Sequence, residues 1–149
     1  MYDPIRRELF SAEKGKGAFL NDSSIRVNSA DSFEKSLLIT GFYYDRGETM
    51  IETLGRIKEF FFKRILGLRR FGAAALDLCY VAAGRAAGFW EFELSPWDFA
   101  AGKLIIEEAG GRVTDKNGGM IDPFKKSYIV ASNGKMHERM LELLKQGRA

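Results

Sequence analysis

The sequence predicts an α/β domain of layered sheets and helices. Short strand-like runs alternate along it with segments of helical apolar spacing, and no repeat or low-complexity linker interrupts the alternation. Its 149 residues, 46% hydrophobic and 29% charged, suffice for one core.

Read in order, residues 8–21 form two short strands around Gly15-Lys16-Gly17. A phosphate-cradling loop is the rival reading of those glycines, but no helix with a leading Ser or Thr follows the lysine, and hairpin turns commonly use glycine. Ser36 to Thr40 is a further strand, closed by a turn at Gly41. Between Gly47 and Phe61, the residues Met50, Leu54, Ile57 and Phe61 recur at helical spacing and are assigned to the core. Gly67 opens a short segment through Phe71. Gly72 to Ala83 is the next helix, with Leu76, Tyr80 and Ala83 on one face and Cys79, a small buried hydrophobe, beside them. Asp77, within it, reads as an exposed or hydrogen-bonded structural carboxylate.

Phe89 to Leu94 alternates as a half-buried strand, with Trp90, Phe92 and Leu94 on one face and Glu91 and Glu93 on the other. Ser95-Pro96 stops it and opens a helix: Ser95 suits the N-cap, Pro96 the first helical position and Asp98 the third, where the helix dipole favours negative charge. The path through Ser95-Pro96 therefore brings Asp98 close to Glu91. Two readings remain open. Ser95-x-x-Asp98 fits a capping box that only holds the helix end, and it equally fits a ligand site at a helix start beside a strand end. Gly110-Gly111 ends this helix, Val113-Thr114 resumes as a strand, and Asn117-Gly118-Gly119 is a polar turn. Tyr128 to Ala131 is a buried strand. Asn133 caps a last helix with Met136, Met140, Leu143 and Leu144 inward, while His137, the single histidine, reads as a surface residue.

Pro-Trp-Asp-Phe-Ala-Ala-Gly (96–102) followed by Glu108-Ala109-Gly110-Gly111-Arg112-Val113-Thr114-Asp115 resembles the second signature of the inositol monophosphatase family. Tyr2-Asp3-Pro4, Glu8-Leu9-Phe10-Ser11-Ala12, residues 14–21, 69–78 and 81–84, and Ala131-Ser132-Asn133 are similar to the family in the family's order. The family's Glu-Glu pair and Asp-Pro-Ile-Asp-Gly-Thr signature, which supply most magnesium ligands, are absent. In Asp3-Pro4-Ile5-Arg6-Arg7, guanidinium groups stand where the second metal-binding Asp and the Gly would be needed, and these cannot ligate a cation. Residues 1–149 therefore resemble the C-terminal portion of the sugar phosphatase fold.

The resemblance implies magnesium-dependent hydrolysis of a phosphomonoester, sensitive to lithium. In it Asp98 binds one Mg2+ near the leaving oxygen and contacts substrate, Glu91 accepts a hydrogen bond from a substrate hydroxyl, and Gly72, Ala73 and Ala74 line the polyol side. The remaining ligands are expected from the missing N-terminal half, so the chain alone is expected to be inactive. Inositol monophosphate, another small phosphorylated polyol, fructose bisphosphate or a nucleotide phosphate is the implied substrate.

A noncatalytic dimerisation or partner-binding module is the alternative, some family members associating with transcription machinery; an experimental or genomic fragment is a third. A homodimer is expected through sheet edges and apolar surface left exposed. The net charge of +3 is dispersed and predicts no dedicated nucleic-acid binding. No apolar run is long enough to span a membrane, the lone Cys79 excludes an intrachain disulfide, and a cytoplasmic location is the default.

Overall fold

The computed structural model describes residues 1–42, 44 and 46–145. Strands β1 (Tyr2–Asp3), β2 (Glu8–Glu13), β3 (Gly17–Leu20) and β4 (Ser23–Ile25) form an antiparallel sheet in sequence order. The β2–β3 hairpin turns through Gly15 and Gly17, both at left-handed φ (79° and 88°), a conformation glycine adopts without steric cost. The expected hairpin is thus present, and the rival phosphate-cradle reading of these glycines is not needed.

A second sheet is built from β5 (Leu37–Thr40), β6 (Gly67–Arg69), β7 (Gly88–Leu94), β8 (Arg112–Thr114) and β9 (Ser127–Ser132), in the order β6-β5-β7-β9-β8. β5 is parallel to both β6 and β7, while β9 is antiparallel to β7 and β8. Helices α1 (Glu48–Phe62), α2 (Ala74–Ala82) and α3 (Pro96–Glu108) connect its strands, and α4 (His137–Lys145) follows the last of them.

Each face of this sheet has its own core. Leu38, Trp90 and Val130 meet Phe60 of α1 and Met140, Leu143 and Leu144 of α4. Ile39, Phe89, Ile129 and Ala131 meet Leu78 of α2, Phe99 and Ile106 of α3, and Phe10 and Ala18 of the smaller sheet. The layers therefore run α1/α4, five strands, α2/α3, four strands. Because β5 leads to α1 on one face and β6 to α2 on the other, the connections change sides here, and in α/β sheets the carboxyl ends of such strands, here β5, β6 and β7, are where a ligand crevice is expected.

Three expectations fail in informative ways. β7 is central, so Phe89 and Trp90 are both fully buried, on opposite faces, and the strand is not half-exposed. Leu94 joins the Phe89 core instead of the Trp90 face, because the pairing with β9 slips between Glu91 and Leu94 and Glu93 takes a left-handed φ of 48°.

In α1 the inward residues are Thr53, Arg56 and Phe60, while Leu54 and Phe61 are 50% and 53% exposed. Phe60 packs on Trp90 with ring centroids 4.6 Å apart; beside it Arg56 Nη1 donates to Leu143 O (3.2 Å) and Thr53 Oγ1 to Thr49 O (2.9 Å), while Arg56 Nε and Trp90 Nε1 have no partner among the described residues. The apolar stripe read from spacing lies one residue off the true inner face.

His137 is not on the surface but fully buried. Its Nε2 lies 2.9 Å from Thr114 Oγ1, and its Nδ1 2.9 Å from Ser132 Oγ. Since the Thr114 hydroxyl donates to Asp115 O (2.8 Å), Nε2 carries the ring proton and Nδ1 accepts from Ser132. Asn133 does cap the turn into α4, its Oδ1 accepting from Met136 N at 3.0 Å.

Candidate active site

The crevice collects the acidic residues of three elements. Asp98 stands at the third position of α3; Ser95 N donates to its Oδ2 at 3.0 Å, one half of the capping box. That bond engages a single carboxylate oxygen, so capping and ligand binding are compatible. Glu91 is half-buried in β7, one residue past the Thr40–Trp90 pair, with its carboxyl group against Gly41. Burial raises its pKa to about 7, helped by the like charge of Asp77 and, less, of Asp98, and opposed by the Arg70 guanidinium. The expected proximity of Glu91 and Asp98 is thus reflected in a shared electrostatic field.

Asp77 departs from the expectation of an exposed or hydrogen-bonded carboxylate. In the first turn of α2 it is 1% exposed, and neither carboxylate oxygen has a hydrogen-bond partner among the described residues. Burial raises its pKa to about 7, with Arg70 as the opposing influence. Arg70, on the loop after β6, is exposed and lies over the Phe42 ring, 5.8 Å from its centroid.

Gly72, Ala73 and Ala74 lead from β6 into α2. Gly72 takes a φ of 95°, a left-handed conformation that selects glycine, and Ala73 is the N-cap without a side-chain bond to the helix. Gly72 and Ala73 are exposed and Ala74 half-buried, which leaves the first amides of α2 open to an acceptor. Cys79 lies fully buried with its thiol pKa pushed up to about 12 by burial, inert as expected.

Among the described residues no group of three or more His, Cys, Asp or Glu side chains could hold a metal ion. The chemistry of Asp98 and Glu91, hard carboxylate oxygens, suits Mg2+, but their number does not complete its shell. Sequence reasoning found Glu91 and Asp98 and missed Asp77, Gly41 and Arg70. The available signal for Asp77 was a lone acid between Leu76 and Leu78 in an otherwise apolar helix.

The whole chain, residues 1–149, matches the inositol monophosphatase family. It is 47% identical over 133 residues to the phosphatase IMPL1, chloroplastic, of Arabidopsis thaliana, covering 89% of this chain and 35% of that protein. It is 45% identical over 146 residues to the putative Nus factor SuhB of Neisseria meningitidis, covering 97% and 54%. Among solved structures, extragenic suppressor protein suhB from Bartonella henselae superposes with a TM-score of 0.90 at 46% identity, over 99% of this chain and 55% of that one. An IMPase/NADP phosphatase complexed with Mg2+ and phosphate gives 0.83 at 26% identity, over 98% and 53%.

The chain thus spans about half or less of the curated relatives it matches. Several of these bacterial relatives are named SuhB, as Nus factors or putative Nus factors. No described helix is long and apolar enough to cross a membrane. The match over all 149 residues, at 45% identity and more to several relatives, places this chain in the inositol monophosphatase family.

Proposed function

We propose that this chain is the C-terminal half of a magnesium-dependent phosphomonoesterase acting on inositol monophosphate or a related small polyol or sugar phosphate. The observation that carries the reading is the convergence of Glu91, Asp98 and the unpartnered Asp77 on one crevice at strand carboxyl ends. Perturbed carboxylates in such a crevice are a feature of functional sites.

Asp98 offers its free oxygen to one Mg2+, and the Glu91 carboxylate accepts from a substrate hydroxyl. Gly72, Ala73 and Ala74 present backbone and small side chains to the polyol. Bound magnesium would polarise the phosphate and favour the attacking water and the leaving alkoxide. The other ligands come from outside this chain, and lithium inhibition, a cytoplasmic location and a homodimer belong to the same reading. A second reading, a partner-binding module without turnover, draws on the Nus factor names and on the exposed Ile51, Leu54, Phe61 and Phe62 of α1.

Phosphate release from several inositol and sugar phosphates at millimolar Mg2+ tests the proposal, with and without an added polypeptide carrying the Glu-Glu and Asp-Pro-Ile-Asp-Gly-Thr segments. Turnover only in the mixture is the expected result. Robust turnover by the lone chain refutes the half-site, and none in a well-formed complex favours the partner-binding module.

A further inference from the structure

Gly41 follows the last residue of β5 and lies beside Glu91 in the neighbouring strand. Its φ lies outside the left-handed region, so the backbone does not demand glycine there. Space does: the three nearest atoms that a Cβ on Gly41 would meet are the carboxyl carbon and both oxygens of Glu91, all at overlapping distance.

The backbone has little freedom to retreat. Thr40 pairs with Trp90 in the ladder, and the Thr40 hydroxyl donates to Trp90 O at 2.8 Å, which fixes the two strand ends against one another. What can yield is the far end of the Glu91 side chain.

We infer that Gly41 is a positioning residue for Glu91: its missing side chain is the seat in which the Glu91 carboxylate lies at the carboxyl end of β5. Any larger residue at 41 drives that carboxylate out of its place. The consequence for substrate rests on the reading of Glu91 as the group that accepts from a polyol hydroxyl; residue 41 then governs polyol binding without touching the polyol.

A double-mutant cycle in the full chain tests the seat without any assay of turnover. Gly41→Ala is expected to lower the Tm by about 2–4 °C and to move the side-chain carboxyl 13C resonance of Glu91. In an Glu91→Gln background, where the shape remains and the charge is gone, the same loss persists. In an Glu91→Ala background, where the clashing atoms are gone, the loss falls below about 1 °C. An equal loss in all three backgrounds, or an unmoved Glu91 resonance in Gly41→Ala, overturns the inference. If Gly41→Ala does not fold, recovery of folding by Gly41→Ala/Glu91→Ala supports it and failure of the pair overturns it. These outcomes stand whether or not phosphatase activity is found. In an active complex, Gly41→Ala should raise KM for the polyol phosphate about tenfold with a smaller change in kcat, the size of one lost hydrogen bond to a charged group.

Discussion

His137 and Asp77 are both buried ionisable residues, and burial disfavours the charged form of each, yet their surroundings are opposites. Burial lowers the His137 pKa to about 4, with the Arg112 charge adding to the effect, while Asp77 and Glu91 are raised to about 7. Around His137 each ring nitrogen has a hydroxyl partner, and those hydroxyls are bonded in turn to Asp115 O and Gly134 N. Around Asp77 neither oxygen is satisfied among the described residues. A buried polar group with its partners supplied stabilises the fold, whereas one without them costs about 1–3 kcal/mol. Arg56 Nε, Trp90 Nε1 and Tyr128 Oη are likewise buried without a partner among the described residues, so what sets Asp77 apart is its raised pKa and its charge beside Glu91, which fit the proposed site.

The comparison makes a double demand: substitutions in the crevice should cost activity and spare stability, and substitutions in the cradle should do the reverse. The largest effect is expected for Asp98→Asn in the complete two-part protein. Loss of negative charge at the metal should reduce phosphate release by at least about 100-fold, while the amide oxygen still accepts from Ser95 N and urea unfolding changes little. Unchanged phosphate release would remove Asp98 from the mechanism.

His137→Ala should cost roughly 2–4 kcal/mol of unfolding free energy in urea, through the cavity and the stranded hydroxyls of Thr114 and Ser132. A loss well under 1 kcal/mol would end its role as a keystone of the β8–β9–α4 corner.

Asp77→Asn, measured at pH 8 where the native carboxylate must ionise in its buried position, should stabilise by roughly 1–3 kcal/mol. A destabilised variant would mean that Asp77 has a partner in solution.

In the pH slope the two regions pull in opposite directions. His137 binds its proton more weakly when folded than the ordinary 6.5, so the unfolded state takes up more protons between about pH 4 and 6.5, and stability from this group rises with pH across that window. Asp77 and Glu91 hold protons more tightly when folded than their ordinary 3.8 and 4.5, so their contribution is present at low pH and lost as pH rises towards 7. With two carboxylates set against one imidazole, urea midpoints of wild type should fall as pH rises over pH 4–7. Asp77→Asn/Glu91→Gln should expose the rising His137 slope, and His137→Ala the falling carboxylate one; a slope of the wrong sign in either would dissolve the contrast.

Much of this was legible in the sequence because strand ends and helix starts are local events. The Ser95-Pro96 corner with Asp98 at the third helical position needed no knowledge of the rest of the fold, and neither did the β2–β3 hairpin or the inward face of α4. The failures were non-local. Whether His137 or Asp77 is buried depends on which element lies over it, and the hydroxyls that satisfy His137 sit on β8 and β9. Leu94 changed faces through a bulge at Glu93, a non-glycine residue at positive φ that alternation does not encode. In α1 the inner face is Thr53, Arg56 and Phe60, two of them polar, so apolar spacing could not find it; it is set by the packing of Phe60 on Trp90.

Glu108, the last residue of α3, carries one further consequence. Its two carboxylate oxygens accept from Gly15 N and Gly17 N, each at 2.9 Å, latching the hairpin of the four-stranded sheet to the end of the helix that begins beside Asp98. α3 is thirteen residues long, a stiff rod of roughly 20 Å. The hairpin of the small sheet is thereby tied, through a single rod, to the end of the helix that carries Asp98, the carboxylate proposed to hold the metal.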